Sequence, residues 1–346
     1  MGLEIHEDAN GPMREGAGYI NMNIAADGMR VSAARAFLEP NFGRANLTLL
    51  VNTRVTQVLF KGDRAHGVEV VAGVVSRTGR EIVLSAGAIH TPKLLMLSGV
   101  GDATTLKKFG IKGIADLRGV GQNLQDHVLL SGVVFRYKGA MPDRPADSNG
   151  VEAEINLSSD VDNHHTDINL VLEQFPIATA EAAQRFGAPP QKDAFTIAPA
   201  LIQPTSRGEV KLASADWRDA PIIFGNHMGT DRDLAAIARA IEAAREVVAQ
   251  KAFDGIRAEE LIPGPNATKQ DIVDLARTGS ASFGHPVGTC RIGADKDSVV
   301  DSELRVHGVR GLRVADASVM PSIISGPTMC PSIMIGGRAA EFINGT

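Results

Sequence analysis

The sequence predicts an α/β (α+β) chain that joins a strand-turn-helix layer to an antiparallel sheet. Three observations lead there. A short apolar strand at 82–84 passes through the small-residue turn 85–88 into a helical stretch. Between 128 and 224 several short runs of strand character are parted by loops rich in Gly and Pro. From 311 a second short strand, GLRVAD, leads to a closing helix behind GPTMCP (326–331).

Composition bounds the possibilities. With 346 residues, 44% apolar, 22% charged and 36 Gly, the chain suits one large or two ordinary domains with a sizeable core. A net charge of −5, a pI near 6.0 and no basic run give no general attraction for nucleic acid or anionic lipid. Two cysteines, Cys290 and Cys330, cannot build a disulfide framework or a metal site on their own, which points to a reducing, cytoplasmic setting with peripheral membrane association as the alternative. Residues 1–11 lack a basic and an apolar segment, and no run of about 18 apolar residues exists. Neither a signal peptide nor a spanning helix is expected.

Taken in order, residues 1–40 open with turn chemistry at 8–11 and 15–18, and a short helical run follows at 32–38. His6, beside Glu7 and Asp8, reads as a solvated turn. The stretch 46–71 alternates and turns at 61–63, a hairpin or meander. After the strand at 82–84, a helix is expected to start at Thr91-Pro92. Runs at 128–137, 165–175 and 206–224 read as strands. Thr230 with Asp233 resembles a capping box opening a helix with Leu234, Ile237, Ile241 and Val248 on one face. In the closing helix Pro331 suits a first helical position, with Ile333, Met334, Ala340 and Ile343 buried. Gly336 and Gly337 are tolerable there if a backbone or a flat ring packs close.

Several separated motifs carry a resemblance. HPVGTCRIG (285–293), VVDSELRVHGVRGLRVADASVMPSIISG (299–326) and PSIMIGGRAAEFI (331–343) resemble the C-terminal signature of the glucose/methanol/choline (GMC) flavin-dependent oxidoreductases. GAIHTPKLLMLSGVG (87–101) resembles that family's second signature, and GVGQNLQDH (119–127) and RVSAARAFLEP (30–40) agree in order. The resemblance implies a partial FAD-binding, Rossmann-like domain with an antiparallel-sheet substrate domain. It divides the chain into a flavin-covering segment (1–40), part of the FAD domain (41–127), a substrate-binding cap (128–276) and the rest of the FAD domain with the catalytic histidine (277–346). It also implies FAD as cofactor, oxidation of an alcohol CH–OH group with hydride passing to flavin N5, a small alcohol as substrate, and a quinone or oxygen as electron acceptor. No strand followed by GxGxxG occurs in this sequence, so the sequence is a piece of a longer chain, or a partner chain supplies that fingerprint, or FAD binding has been lost.

The site residues follow from the same resemblance. His285 reads alone as a polar turn residue before Pro286, but aligns with the family's catalytic base, a role a neutral imidazole suits. Pro327 stands where the family places Asn or His as a second polar group at the substrate oxygen, and proline offers neither side-chain bond nor N–H. Val55 matches a position whose backbone meets adenine, and the turn Ser85-Ala86-Gly87 one that lies against the dinucleotide. Asp316 and Ala317, before Ser318, match the contact to phosphates and ribityl chain, where backbone N–H groups would bind and the carboxylate would meet a sugar hydroxyl. On its own, Asp316 reads as an Asx cap. Thr328 and Met329, at the mouth of the closing helix, would approach the flavin's pyrimidine edge.

Other residues read more plainly. Cys290 and Cys330 suit small core positions near the flavin. His127 suits a structural hydrogen bond at the domain junction. His164 and His165 with Asp162 and Asp167 do not make a metal site, because neighbours on an extended chain point apart. Ser318 lacks a GxSxG setting for a nucleophile. Two alternatives stand beside alcohol oxidation: a flavin-bearing hydroxynitrile lyase using the same histidine, and a non-catalytic remnant of the family.

Overall fold

The computed structural model describes residues 1–8, 11, 15–71, 73–75, 81–143, 148, 150–160 and 165–345. The 8–11 turn is therefore only partly covered, and His164 and Asp162 lie outside the described residues.

One large sheet takes up the runs expected at 128–137 and 165–175 and also Gly16–Tyr19, where a turn was expected, whereas the 206–224 run forms a separate pair, Glu209–Lys211 with Ile222–Phe224. Its strands lie in the order Ile5–His6, Gly16–Tyr19, Val151–Leu157, Ile168–Glu173, Ala194–Leu201, Val133–Tyr137 and Arg257–Ile262, with Val128–Leu130 and Ser280–Ser282 paired off its side. Neighbours run antiparallel except Ile5–His6 beside Gly16–Tyr19, which is parallel, so the sheet is mixed. His6 thus sits in a strand, where its Nε2 lies 3.2 Å from the Glu15 carbonyl, rather than in a free turn.

The period of two sorts the sheet's side chains between its faces. Leu157, Ile168, Leu170, Phe195, Ile197 and Leu201 join a core with the helix Asp231–Val248, whose Ile237 and Ile241 are fully buried. Thr230 caps that helix by accepting from the Asp233 N–H. The expected reciprocal bond is missing because the Asp233 carboxylate turns to the backbone N–H groups of Thr205 (2.8 Å) and Ser206 (2.9 Å) instead. A full capping box forms one helix later, at Thr268 and Asp271.

A second core gathers Leu84, Leu95, Leu106, Val287, Leu312, Val314 and Ile335, with Leu212 reaching in from the 206–224 run. Here the strands Ile82–Leu84 and Leu312–Val314, far apart in sequence, pair in parallel. The hairpin of Val55–Lys61 and Arg64–Val70 turns at Gly62, whose φ of +63° glycine adopts without strain.

Several local expectations change. The helix after the 85–86 turn begins at Gly87 and ends at Leu97, so Pro92 lies inside it. Proline leaves the Ala88 carbonyl without its i+4 donor, and the Thr289 hydroxyl fills that place at 2.6 Å. The closing helix spans Met329–Asn344, with Ile335 and Ala339 buried one turn apart and Met334 and Ala340 exposed. Neither Gly336 nor Gly337 has anything packed where a Cβ would stand. The run at 32–38 forms a π-helical turn, Ala34–Leu38, followed by a 3-10 turn, Glu39–Asn41. Cys290 is buried as expected, whereas Cys330 is exposed. Among the described residues, no helix is long and apolar enough to cross a membrane.

Asp233 is buried and every bond it accepts ties the long helix to residues 205–206. Asp233→Ala orphans those donors and is expected to lower unfolding free energy by about 3 kcal/mol in urea titration.

Candidate active site

The GVGQNLQDH stretch (119–127) is where the two cores meet, and each of its last residues holds a different part of the site. Asn123 takes a left-handed backbone (φ +63°), and its amide donates to the Gly288 (3.2 Å) and Pro321 (3.3 Å) carbonyls. Gln125 pairs main chain to main chain with Val287, donating to it at 3.1 Å and accepting from it at 2.8 Å. Its side chain donates to Pro321 O (3.2 Å) and accepts from the Ile323 N–H (3.2 Å). Asp126 accepts from the backbone N–H of His285 (2.9 Å) and from the Ser282 hydroxyl.

His127 completes the series. Its Nε2 lies 2.8 Å from the Ile324 carbonyl and its Nδ1 lies 3.0 Å from Nδ1 of His285. A carbonyl can only accept, so Nε2 of His127 carries the proton. Burial pushes the His127 pKa from 6.5 to about 4, against the pull of the Ile324 bond. The ring is therefore neutral, and its Nδ1 is an acceptor. His285 must then donate from Nδ1, which leaves its Nε2 with the lone pair. Burial lowers the His285 pKa too, with Asp126's charge opposing. The outcome is a neutral imidazole with a single uncommitted nitrogen.

That imidazole borders a cavity of about 590 Å³. Phe283, His127, Ile324, Ser325, Gly326 and Pro327 line it from the loops, and the polar face of the sheet, including Glu154, Asn156, Asn169 and Glu173, lines it from the other element. His285 and Pro327 are thus brought together, at the approach to the closing helix.

The residues expected to meet a cofactor gather around the parallel strand pair. Val55 and Ala86 line a second cavity of about 600 Å³ with Arg54, His90, Lys93 and Trp217. Lys93 donates to the Trp217 (2.7 Å) and Asp219 (2.6 Å) carbonyls. Ser85 donates to the Ala315 carbonyl (2.9 Å), and Ala317 O accepts from Gly288 N (3.2 Å). The Asp316 carboxylate accepts from the N–H of Gly87 (2.9 Å), the hydroxyl of Thr91 (2.6 Å) and the N–H of Ser318 (2.8 Å). These three bonds are those of a cap that ties the 316–318 turn to the start of the Gly87–Leu97 helix. Thr328 is buried and Met329 half-exposed, and no side chain caps the helix they open.

This donor set fits a large anionic cofactor such as FAD. Cations at Arg54 and Lys93 and the small Ala86 border one cavity, and an uncapped N-terminus of a 16-residue helix follows the loop that lines the other. Among the described residues no group of three His, Cys, Asp or Glu is arranged to hold a metal. Asp167 instead accepts from the Ser159 N–H at 2.7 Å.

Sequence reasoning expected a structural hydrogen bond of His127 without its partner, and passed over Gln125, Glu154 and Glu173. A signal for the last two was present: polar residues recur at alternate positions of strands whose other face is apolar.

Comparison with known proteins gives a consistent picture. The family described as GMC oxidoreductase matches in two parts, residues 1–129 to its N-terminal portion and 204–336 to its C-terminal portion. Human mitochondrial choline dehydrogenase is 36% identical over 370 residues, covering 99% of this chain and 61% of the human protein. The oxygen-dependent choline dehydrogenase of Brucella ovis is 36% identical, covering 99% of this chain and 66% of its own length. The crystal structure of pyridoxine 4-oxidase from Mesorbium loti superposes with a TM-score of 0.92 at 32% identity, covering 100% of this chain and 67% of that one. The chain thus spans less than two thirds of those two dehydrogenases.

A histidine held neutral in the fold binds protons once unfolded, so its contribution is present above 6.5 and is lost as pH falls towards about 4. Over that window wild-type unfolding free energy is expected to drop by up to ~3 kcal/mol on this account. Denaturation at a series of pH values checks this, and His127→Gln is expected to flatten the slope.

Proposed function

The chain belongs to the GMC oxidoreductase family, and from that premise we propose that it oxidises the CH–OH group of a small alcohol with FAD as cofactor and His285 as base. The observation that carries the reading is the His127–His285 bond, which leaves Nε2 of His285 as a lone pair in a cavity bordered by Pro327. The names of the relatives speak of choline and of pyridoxine, so family membership alone does not select the alcohol.

When bound, FAD supplies the acceptor for the hydride that leaves the carbinol carbon. Val55, Ser85, Ala86, Gly87, Asp316, Ala317, Thr328 and Met329 would hold it. His285 takes the hydroxyl proton at Nε2 as the carbonyl double bond forms, and its Nδ1–H stays bonded to His127 throughout. The bond therefore need not break on either side of the step. Asp126, fixed by Ser282 and by the His285 N–H, places the backbone of the base and sets a negative charge behind the imidazolium that forms. His127 is a positioning residue: both of its nitrogens are committed, so it does not stand in for the polar group that Pro327 lacks. Proton uptake then rests on one imidazole. The electrons pass on to a quinone or to oxygen. The expectation that a partner chain supplies the dinucleotide fingerprint draws no support from these matches.

His285→Ala is expected to keep the flavin content obtained on reconstitution with FAD while alcohol-driven bleaching slows by about 10²-fold or more. Equal bleaching would overturn the assignment of the base. Because the base must be unprotonated, the rate of bleaching is expected to rise with pH through an apparent pKa below 6.5 and to be flat above neutrality. His127→Phe removes the acceptor that selects the tautomer, and stopped-flow bleaching is expected to slow by roughly tenfold with flavin content unchanged.

A further inference from the structure

The cavity beside His285 has a wall whose chemistry the proton step leaves unused. Along 154–157 and 168–173, Ile155, Leu157, Ile168, Leu170 and Leu172 go to the core, and the alternate side chains Glu154, Asn156, Asn169, Val171 and Glu173 face the cavity. Asn156 stands opposite Asn169, and Glu154 opposite Val171. The Asn169 amide donates to Glu154 (3.1 Å) and to the Asn156 side-chain oxygen (3.0 Å), so Glu154 is held by amides.

Glu173 is different. It is 6% exposed, lines the cavity, and has no hydrogen-bond or ionic partner among the described residues. Among the described residues that line this cavity there is no Lys or Arg. A carboxylate removed from water without a donor is costly, and an N–H cation inside the cavity would supply both the charge and the donor. Among the described lining residues Phe283 is the one aromatic ring outside the two histidines, too little for a cage around a quaternary ammonium.

Resting on the reading of this cavity as the substrate site, we propose that Glu173, with the Glu154–Asn169–Asn156 array beside it, recognises a protonated nitrogen that bears N–H. The substrate class is then an alcohol carrying a protonated amine or a protonated heteroaromatic nitrogen, in preference to a neutral or a quaternary one.

Burial supports this by a separate route. It pushes Glu173 up to about 7 and raises Glu154 as well, so a bound cation would ionise the wall and release protons near neutral pH. The other titratable groups facing the cavity, His127 and His285, are pushed below their ordinary values and have little proton to give there.

Calorimetric titration of the full chain with 4-(aminomethyl)benzyl alcohol, its N,N,N-trimethyl analogue and benzyl alcohol tests the assignment without turnover. The amine is expected to bind about tenfold or more tightly than either of the others. Repeating the titration at pH 7 in buffers of different ionisation enthalpy is expected to reveal proton release with the amine and none with benzyl alcohol. Glu173→Gln, nearly isosteric, is expected to erase the preference and most of the proton release. Equal binding of the three probes by wild type overturns the proposal, as does a preference that survives in Glu173→Gln. If that variant does not fold, proton release in the wild type decides alone, and its absence overturns the proposal. Amine preference together with flavin that no amino alcohol bleaches would leave the subsite standing and sink the oxidase or dehydrogenase reading.

Discussion

One contact orders the site: an imidazole that can only accept, facing an imidazole that must donate. The direction of the His127–His285 bond is set by a backbone carbonyl, that of Ile324, which has no second option. The carbonyl belongs to the loop that enters the closing helix, so the protonation pattern of the base is dictated by the placement of a chain segment. Asp126 and Gln125 hold the two sides of that arrangement, the backbone of His285 and the loop at 321–323. Three consecutive residues, Gln125, Asp126 and His127, thus run along the seam between the two cores and align the groups on either side of it.

The electrostatics of the cavity divide between its walls. Burial acts on both, with opposite results: it keeps the histidines of the loop wall neutral and draws the carboxylates of the sheet wall towards neutrality. The same desolvation acts on the proposed base on one side and on the proposed receptor for a cation on the other.

Much of this was legible in advance, and the exceptions have physical causes. Alternation marked the sheet strands, and apolar spacing marked the long helix at Leu234, Ile237, Ile241 and Val248, because burial on one face leaves a periodic trace. The motifs at 285–293 and 299–326 contain His285 and Gly326, which line one cavity, and the strand Leu312–Val314 that pairs with Ile82–Leu84. Pro92 misled because proline usually marks a helix start, and a hydroxyl from residue 289 made an interior position acceptable. Met334 and Ala340 misled because an apolar helix does not reveal which of its faces will be covered. His127 was undervalued since its meaning lies in a partner 158 positions away, a distance over which no local pattern reports. Asp316 was legible on its own as a cap, and its bonds to Gly87, Thr91 and Ser318 follow that local reading.

The repair at Pro92 ties two places that would otherwise vary separately. The proline takes one amide out of the Gly87–Leu97 helix, and Thr289, four residues beyond the base, answers with its hydroxyl. An apolar residue at 289 would strand the Ala88 carbonyl beside the second core, whereas an ordinary residue at 92 would restore the amide and leave the carbonyl to accept from both donors. Drift at 289 is therefore constrained for as long as the proline stays, and drift at 92 releases it.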